Sequence, residues 1–375
     1  FRPPPSPDVQ TEAIISPIPS VADMPCPPAD QPARTGMVVG VQYLRAIAAA
    51  LVVFVHLQEQ LQRAGHSIPL ALYGSAGVDI FFVISGFVMW HTSQDHHRTL
   101  DFYYRRIIRI VPLYWALTSV VVAMLLWTPS LVRSGSFDWA HVVTSYLFLP
   151  MAHPVATEAM FPVLVPGWTL NYEMFFYLIF GLALLLPRAQ RLAALCVAFG
   201  ALTVAYFLVP RGTTAAAFYT DPIILEFLLG ILLGALCGKG AKLSGKAATL
   251  LIVAGAALIL CRFDVHRFLR DGIGAAMIVY GAVLFEMGRP VRRRPALMLL
   301  GDASYSLYLS HALVLSGLFQ IMNRIVPVGT IPGAIVYLLV AVAGSVAAAI
   351  LLYRIVEKPA LLYLKRRGPP DGKAP

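Results

Sequence analysis

Long apolar runs of similar length, separated by short polar turns, dominate this chain from residue 37 onward. A helix rises about 1.5 Å per residue, so roughly 17–25 apolar residues cross the hydrocarbon core of a bilayer. Windows of that length predict helices near 38–58, 72–92, 107–127, 166–186, 191–209, 221–238, 247–262, 271–288, 304–323 and 331–354. One further run, His141 to Met151, is too short to cross. The pattern describes an all-α polytopic integral membrane protein with about ten transmembrane helices.

Composition excludes a soluble alternative. Apolar residues make up 58% of the chain and charged residues 13%, with a mean hydropathy of +0.72. A soluble domain is roughly 45–50% apolar and about 25% charged, and has nowhere to bury such a surplus. The net charge of +10 does not point to nucleic acid. The basic residues sit in short runs between apolar stretches, the pattern that orients membrane helices. The four cysteines form no CxxC pair, so neither a disulfide framework nor a metal site is expected. Residues 1–36 are rich in proline and without periodicity. They lack the basic and apolar regions of a signal peptide and read as disordered. Translation then starts at Met37, or 1–36 is a dispensable cytosolic tail. The chain divides into this segment, a membrane domain over 37–358 and a basic cytosolic tail over 359–375.

Orientation follows from the basic residues. With the N-terminus inside, the inner loops hold Arg98, Arg105, Arg106 and Arg109, then Arg188 and Arg191, then Lys239, Lys242 and Lys246, then Arg289 and Arg292 to Arg294. That is nearly twice the number on the outer loops, as the positive-inside rule requires. A crossing at 141–151 would invert everything after it, so 128–165 is expected as an outer loop with a half-inserted or surface helix. Both termini are then cytosolic.

Ionisable side chains inside spanning helices cost a few kcal/mol on insertion scales, so each needs a reason. Arg45 and His56 are eleven residues apart on the first helix. That spacing is three turns plus roughly 20°, which places both on one face about 16 Å apart along the axis. They serve either a group passing between the two membrane faces or mere snorkelling to the two headgroup layers. Arg106 and Arg109 are i, i+3 neighbours; they form a guanidinium fork for phosphates or a cluster that sets topology. Glu173, in WTLNYE, is either an acid that orients a histidine or the partner of an arginine on another helix. Ser304, Tyr308 and His311 share one face of SYSLYLSH, where polar glue between helices is the bland account. Asp79 and Glu226 read as structural. His96 and His97 beside Asp95 look metal-like but fit a solvated inner loop.

Together these segments resemble the acyltransferase family 3 membrane proteins, which O-acylate bacterial polysaccharides and other extracytoplasmic sugars. The resemblance covers nearly all of 37–365. It rests on Arg45-x10-His56, on GSAGVDIFFVISGF from Gly74 to Phe87, and on Arg106-x-x-Arg109 followed by Ile110-x-Pro112-x-Tyr114. It rests also on Trp168-x-Leu170-x-x-Glu173, on SYSLYLSH and on Glu357-x-Pro359. The likeness is closest to the short, exopolysaccharide-production forms. It implies a cytosolic acyl-CoA donor, most often acetyl-CoA, and a sugar hydroxyl on a polysaccharide or lipid-linked oligosaccharide as acceptor. It also implies a bacterial inner-membrane location, polysaccharide assembly machinery as a partner, and no metal or redox cofactor. Arg45, His56, Arg106 and Arg109 become essential residues. In the mechanism expected here, Arg106 and Arg109 hold the CoA phosphates and Arg45 neutralises charge near the thioester or the oxyanion formed on acyl transfer. His56 is then the base or transient acyl carrier, Glu173 its orienting acid, and Tyr305, Tyr308 and His311 line the cavity. A polytopic transporter, or a non-catalytic subunit of an export complex, is the competing reading.

Overall fold

A computed structural model describes residues 39–67, 73–93, 99–128, 137–240, 243–261 and 264–368. The expected disorder of 1–36, the start at Met37 and the His96–His97 pair lie outside the described residues. The membrane domain is all-helical among the described residues. Its helices are α1 (Val39–Arg63), α2 (Ala76–Thr92), α3 (Thr99–Trp127), α4 (Trp139–Tyr146), α5 (Trp168–Ala183), α6 (Arg188–Leu208) and α7 (Ala215–Tyr219). They continue as α8 (Leu225–Gly238), α9 (Gly245–Leu260), α10 (Ile273–Gly288), α11 (Pro295–Asp302), α12 (Ser304–Ile325), α13 (Ile331–Leu352) and α14 (Lys358–Arg367).

Each apolar run that predicts a crossing is a helix. Eight helical stretches are long and apolar enough to span a membrane, while α5 and α9 have 16 residues each. The short run at 141–151 becomes α4, eight residues capped at its start by the Asp138 carboxylate. Eight residues rise only about 12 Å, far less than the roughly 30 Å of a hydrocarbon core. Two helices continue furthest beyond their apolar windows. The third begins at Thr99, so its arginines lie within the helix rather than in a preceding loop. At the other end of the chain, α13 runs through a π-helical segment, Tyr353–Glu357, into α14.

At the centre stands α1, in contact with α2, α10, α11, α12 and α13. Its N-terminus is closed by a distant anion. The Glu286 carboxylate accepts from the Val39 and Gly40 amides at 2.9 and 2.6 Å, satisfying N–H groups that a helix leaves unpaired and complementing its dipole. Close backbone approach fixes α2 against both neighbours. A Cβ on Gly77 would collide with the Ala48 carbonyl of α1, and one on Gly86 with the Phe227 carbonyl of α8. Small residues at a helix crossing serve this purpose in membranes, where packing rather than water drives association. Peripheral helices look the opposite. Among its 21 residues, α6 buries Leu195 and Phe199, and leaves Val197, Val204 and Phe207 exposed. On a water-soluble monomer such a face would be anomalous; here it is the surface that lipid covers.

Candidate active site

Two groups of polar residues lie along the same face of α1. The first surrounds Arg45. Arg109, Glu357, Glu173 and Asp302 are close enough to act electrostatically on its guanidinium, Arg109 most strongly. Arg45 donates to Gln42 at 3.2 Å, and Gln42 donates in turn to Asp302 at 2.5 Å. One turn earlier on α3, Arg106 lies beside Tyr177, Arg109 and Glu173, with its Nε buried and without a partner. Three guanidinium groups thus gather from α1 and α3. Of the carboxylates nearby, Glu173 and Glu357 are engaged by hydroxyls instead. Glu173 accepts from Ser85 at 3.0 Å and from Tyr177 at 2.5 Å. Glu357 accepts from Ser306 at 2.6 Å. Neither carboxylate comes within 4 Å of a guanidinium nitrogen among the described residues. The arginines therefore make no close ion pair within the cluster among the described residues, an arrangement suited to a bound anion.

The second group lies toward the C-terminal end of α1. His56 Nδ1 is 3.1 Å from Glu59 Oε2, one turn on along the same helix. A carboxylate only accepts, so in the neutral imidazole this contact puts the proton on Nδ1 and leaves the lone pair on Nε2. The His56 side chain is 29% exposed. Its ring centre is 4.9 Å from that of His311 on α12. His311 is wholly buried; its Nδ1 is 3.2 Å from the Leu307 carbonyl, and its Nε2 has no partner.

The sequence-predicted residues therefore fall into two places. Arg45, Arg106, Arg109 and Glu173 come together in the first group, and His56 and His311 in the second. Glu173 is not the carboxylate on His56: its Oε1 accepts from both Ser85 and Tyr177, and the carboxylate on His56 is Glu59. The reason is depth. Before α5 begins, Val163, Leu164, Pro166 and Gly167 are already buried, so this helix starts inside the protein and carries Glu173 down to the arginines. The i, i+3 spacing of His56 and Glu59 was the available signal for the true partner. Tyr305 and Tyr308 border the groups with engaged hydroxyls. Tyr305 donates to the Ile110 carbonyl at 2.7 Å and Tyr308 to the Pro166 carbonyl at 3.0 Å, tying α12 to α3 and to the turn before α5. Glu357 and Ser306, which the sequence placed in motifs without a role, join the first group.

A third charged cluster is separate. Arg267 grips Asp79 at 2.7 and 3.1 Å, and Arg270 grips Asp271 at 2.8 and 2.9 Å. These arginines open α10 through a π-helical turn, Phe268–Gly272. Glu226, buried beside Asp79, completes it. The assignment of Asp79 to structure fits this pairing.

An all-helical membrane bundle with paired basic and imidazole groups along one central helix defines a class, and the comparisons give it a family. The acyltransferase domain model matches residues 38–354, so the chain belongs to acyltransferase family 3 and is a multi-pass membrane acyltransferase. It is similar to the exopolysaccharide production protein ExoZ of Rhizobium meliloti, 37% identical over 82% of this chain and 93% of that protein. It is also similar to the acyltransferase MdmB of Streptomyces mycarofaciens, at 27% identity over 87% of this chain and 92% of the relative. The O-acetyltransferase OatA of Staphylococcus aureus is 25% identical, over 85% of this chain and 56% of OatA. No solved structure gives a significant match.

Proposed function

We propose that this acyltransferase moves an acyl group, most simply acetyl, from cytosolic acyl-CoA to a sugar hydroxyl. The acceptor is an extracytoplasmic polysaccharide or its lipid-linked precursor. The proposed site is the bacterial inner membrane, with both termini cytosolic and polysaccharide assembly machinery as a partner. The observation that carries this reading is the contact of His56 Nδ1 with Glu59 at 3.1 Å, which in the neutral ring leaves Nε2 to act as a base, on the helix that also bears Arg45. The names of ExoZ and OatA point in the same direction, toward exopolysaccharide and O-acetyl transfer.

In this mechanism Arg106 and Arg109 grip the CoA phosphates, for which a planar fork is suited. His56 Nε2 takes the proton of the acceptor hydroxyl as general base, and Glu59 holds the imidazole in the tautomer that can do so. The oxygen attacks the thioester carbonyl carbon. Arg45 supports the donor end of the site, where its charge adds to the arginine field that holds the anionic donor. When the C–S bond breaks, the thiolate leaves and recovers the proton from His56.

The test is transfer of label from radiolabelled acetyl-CoA to glycan in membranes bearing the protein. His56→Gln should lower that rate by about 10²–10⁴-fold, the usual value of general-base help, with abundance and acyl-CoA binding unchanged. Near-normal turnover by this variant would remove His56 from the mechanism. Failure of the wild type to label any glycan would overturn the donor and acceptor assignment.

A further inference from the structure

We infer that His311 is a positioning residue that accepts a hydrogen bond from His56 once His56 has taken the acceptor's proton; the inference rests on the function proposed above.

Tautomers carry the argument. The Leu307 carbonyl only accepts, so the 3.2 Å contact places the His311 proton on Nδ1 and leaves Nε2 as a lone pair. That Nε2 is buried and has no partner, and His311 as a whole is fully buried. Leaving a buried acceptor unsatisfied costs about 1–3 kcal/mol, so such an atom in a native structure calls for an explanation. Beside it lies His56, whose ring centre stands 4.9 Å away at a 38° tilt. In the resting tautomers Nε2 of both rings carries a lone pair, and neither can donate to the other. This accounts for two imidazoles in ring contact without a hydrogen bond between them.

Proton uptake changes that. When the hydroxyl O–H bond breaks and an N–H bond forms on His56 Nε2, His56 becomes an imidazolium with two donors. Glu59 already accepts from Nδ1; a small rotation offers the new Nε2–H to the waiting lone pair of His311. A charge-assisted bond of this kind stabilises the cation while the tetrahedral intermediate forms and collapses. It ends when the thiolate takes the proton back, so no further reactant is required. The separation of 255 positions between the two histidines explains why no periodicity in the sequence pairs them.

The experiment compares His311→Gln with His311→Phe in the full-length protein, each rate divided by the amount of folded, acyl-CoA-binding enzyme. Glutamine presents an oxygen near the position of Nε2 and keeps the acceptor, whereas phenylalanine fills the space without one. The expected result is a roughly tenfold to hundredfold loss of kcat for phenylalanine, in line with losing one hydrogen bond to a charged group. Glutamine should stay within about threefold of wild type, and KM for both substrates should be unchanged in both variants. In a His56→Gln background neither change should lower the residual rate further, because His311 acts only through His56. Equal losses for glutamine and phenylalanine, or undiminished losses in the His56→Gln background, would overturn the assignment. A wild-type enzyme that uses no acyl-CoA would instead overturn the proposed function.

Discussion

Two arginine clusters in this molecule look alike in composition and differ in how they are closed. In the one at the start of α10, Arg267 and Arg270 each grip a carboxylate with two nitrogens, at 2.7 to 3.1 Å. In the one between α1 and α3, Arg45, Arg106 and Arg109 have Glu173 and Glu357 nearby, but serine and tyrosine hydroxyls hold those carboxylates. A closed pair spends its directional bonds inside the protein and can only hold helices together. An open fork beside restrained carboxylates keeps its donors for a ligand. Counting charges in the sequence would not separate the two; the hydroxyls do.

The largest effect expected from this contrast is on stability. Arg267→Ala leaves Asp79 fully buried and unpaired, which typically costs about 3–5 kcal/mol. The thermal midpoint of the purified protein in detergent should fall sharply, while surviving folded enzyme keeps its wild-type KM for acyl-CoA. A donor-binding defect without destabilisation would erase the distinction between the clusters.

The next effect is on donor binding. Arg106→Lys with Arg109→Lys retains the charge that orients α3 but loses the planar fork. Losing one or two hydrogen bonds to a charged ligand should raise KM for acyl-CoA roughly tenfold to hundredfold. Abundance and topology should not change. Wild-type donor binding in the double variant would return these arginines to a role in topology alone.

The smallest effect sharpens the role of the hydroxyls. Tyr177→Phe removes one of the two donors that hold Glu173. A freed Glu173 carboxylate is then able to turn toward Arg106 and compete with the donor. A rise of about threefold in KM for acyl-CoA, with kcat nearly unchanged, is the scale of one such bond. Steady-state kinetics over a range of donor concentrations would show it; a fall in KM would contradict the idea that the hydroxyls keep the fork open.

Helix positions were legible because run length alone decides whether a segment can cross, and Val39–Arg63 or Ser304–Ile325 differ from their apolar windows only at the ends. Chemistry was legible where it lay within one helix. The common face of Arg45 and His56 follows from their spacing, and the His56–Glu59 contact was open to the same reasoning but fell beyond the expected end of the first helix. Depth was not legible. That Glu173 reaches the arginines depends on the buried approach of Val163 to Gly167, and nothing in the local pattern of α5 states how far inside the protein that helix begins. Nor does a sequence separation of 255 residues hint that His311 meets His56.

The two ends of the site share one rigid rod, and this sets what insertions and deletions α1 can tolerate. One residue added between Arg45 and His56 would swing one side chain by about 100° away from the other. Removing seven residues would nearly restore the common face but draw the two groups about 10.5 Å closer. A donor arm of fixed length, anchored at the arginines, would then overshoot the histidine. The ten-residue interval is therefore a gauge: its length is set by the distance between the two groups, while the size of buried members such as Ala48 and Ala49 is set separately by helix packing.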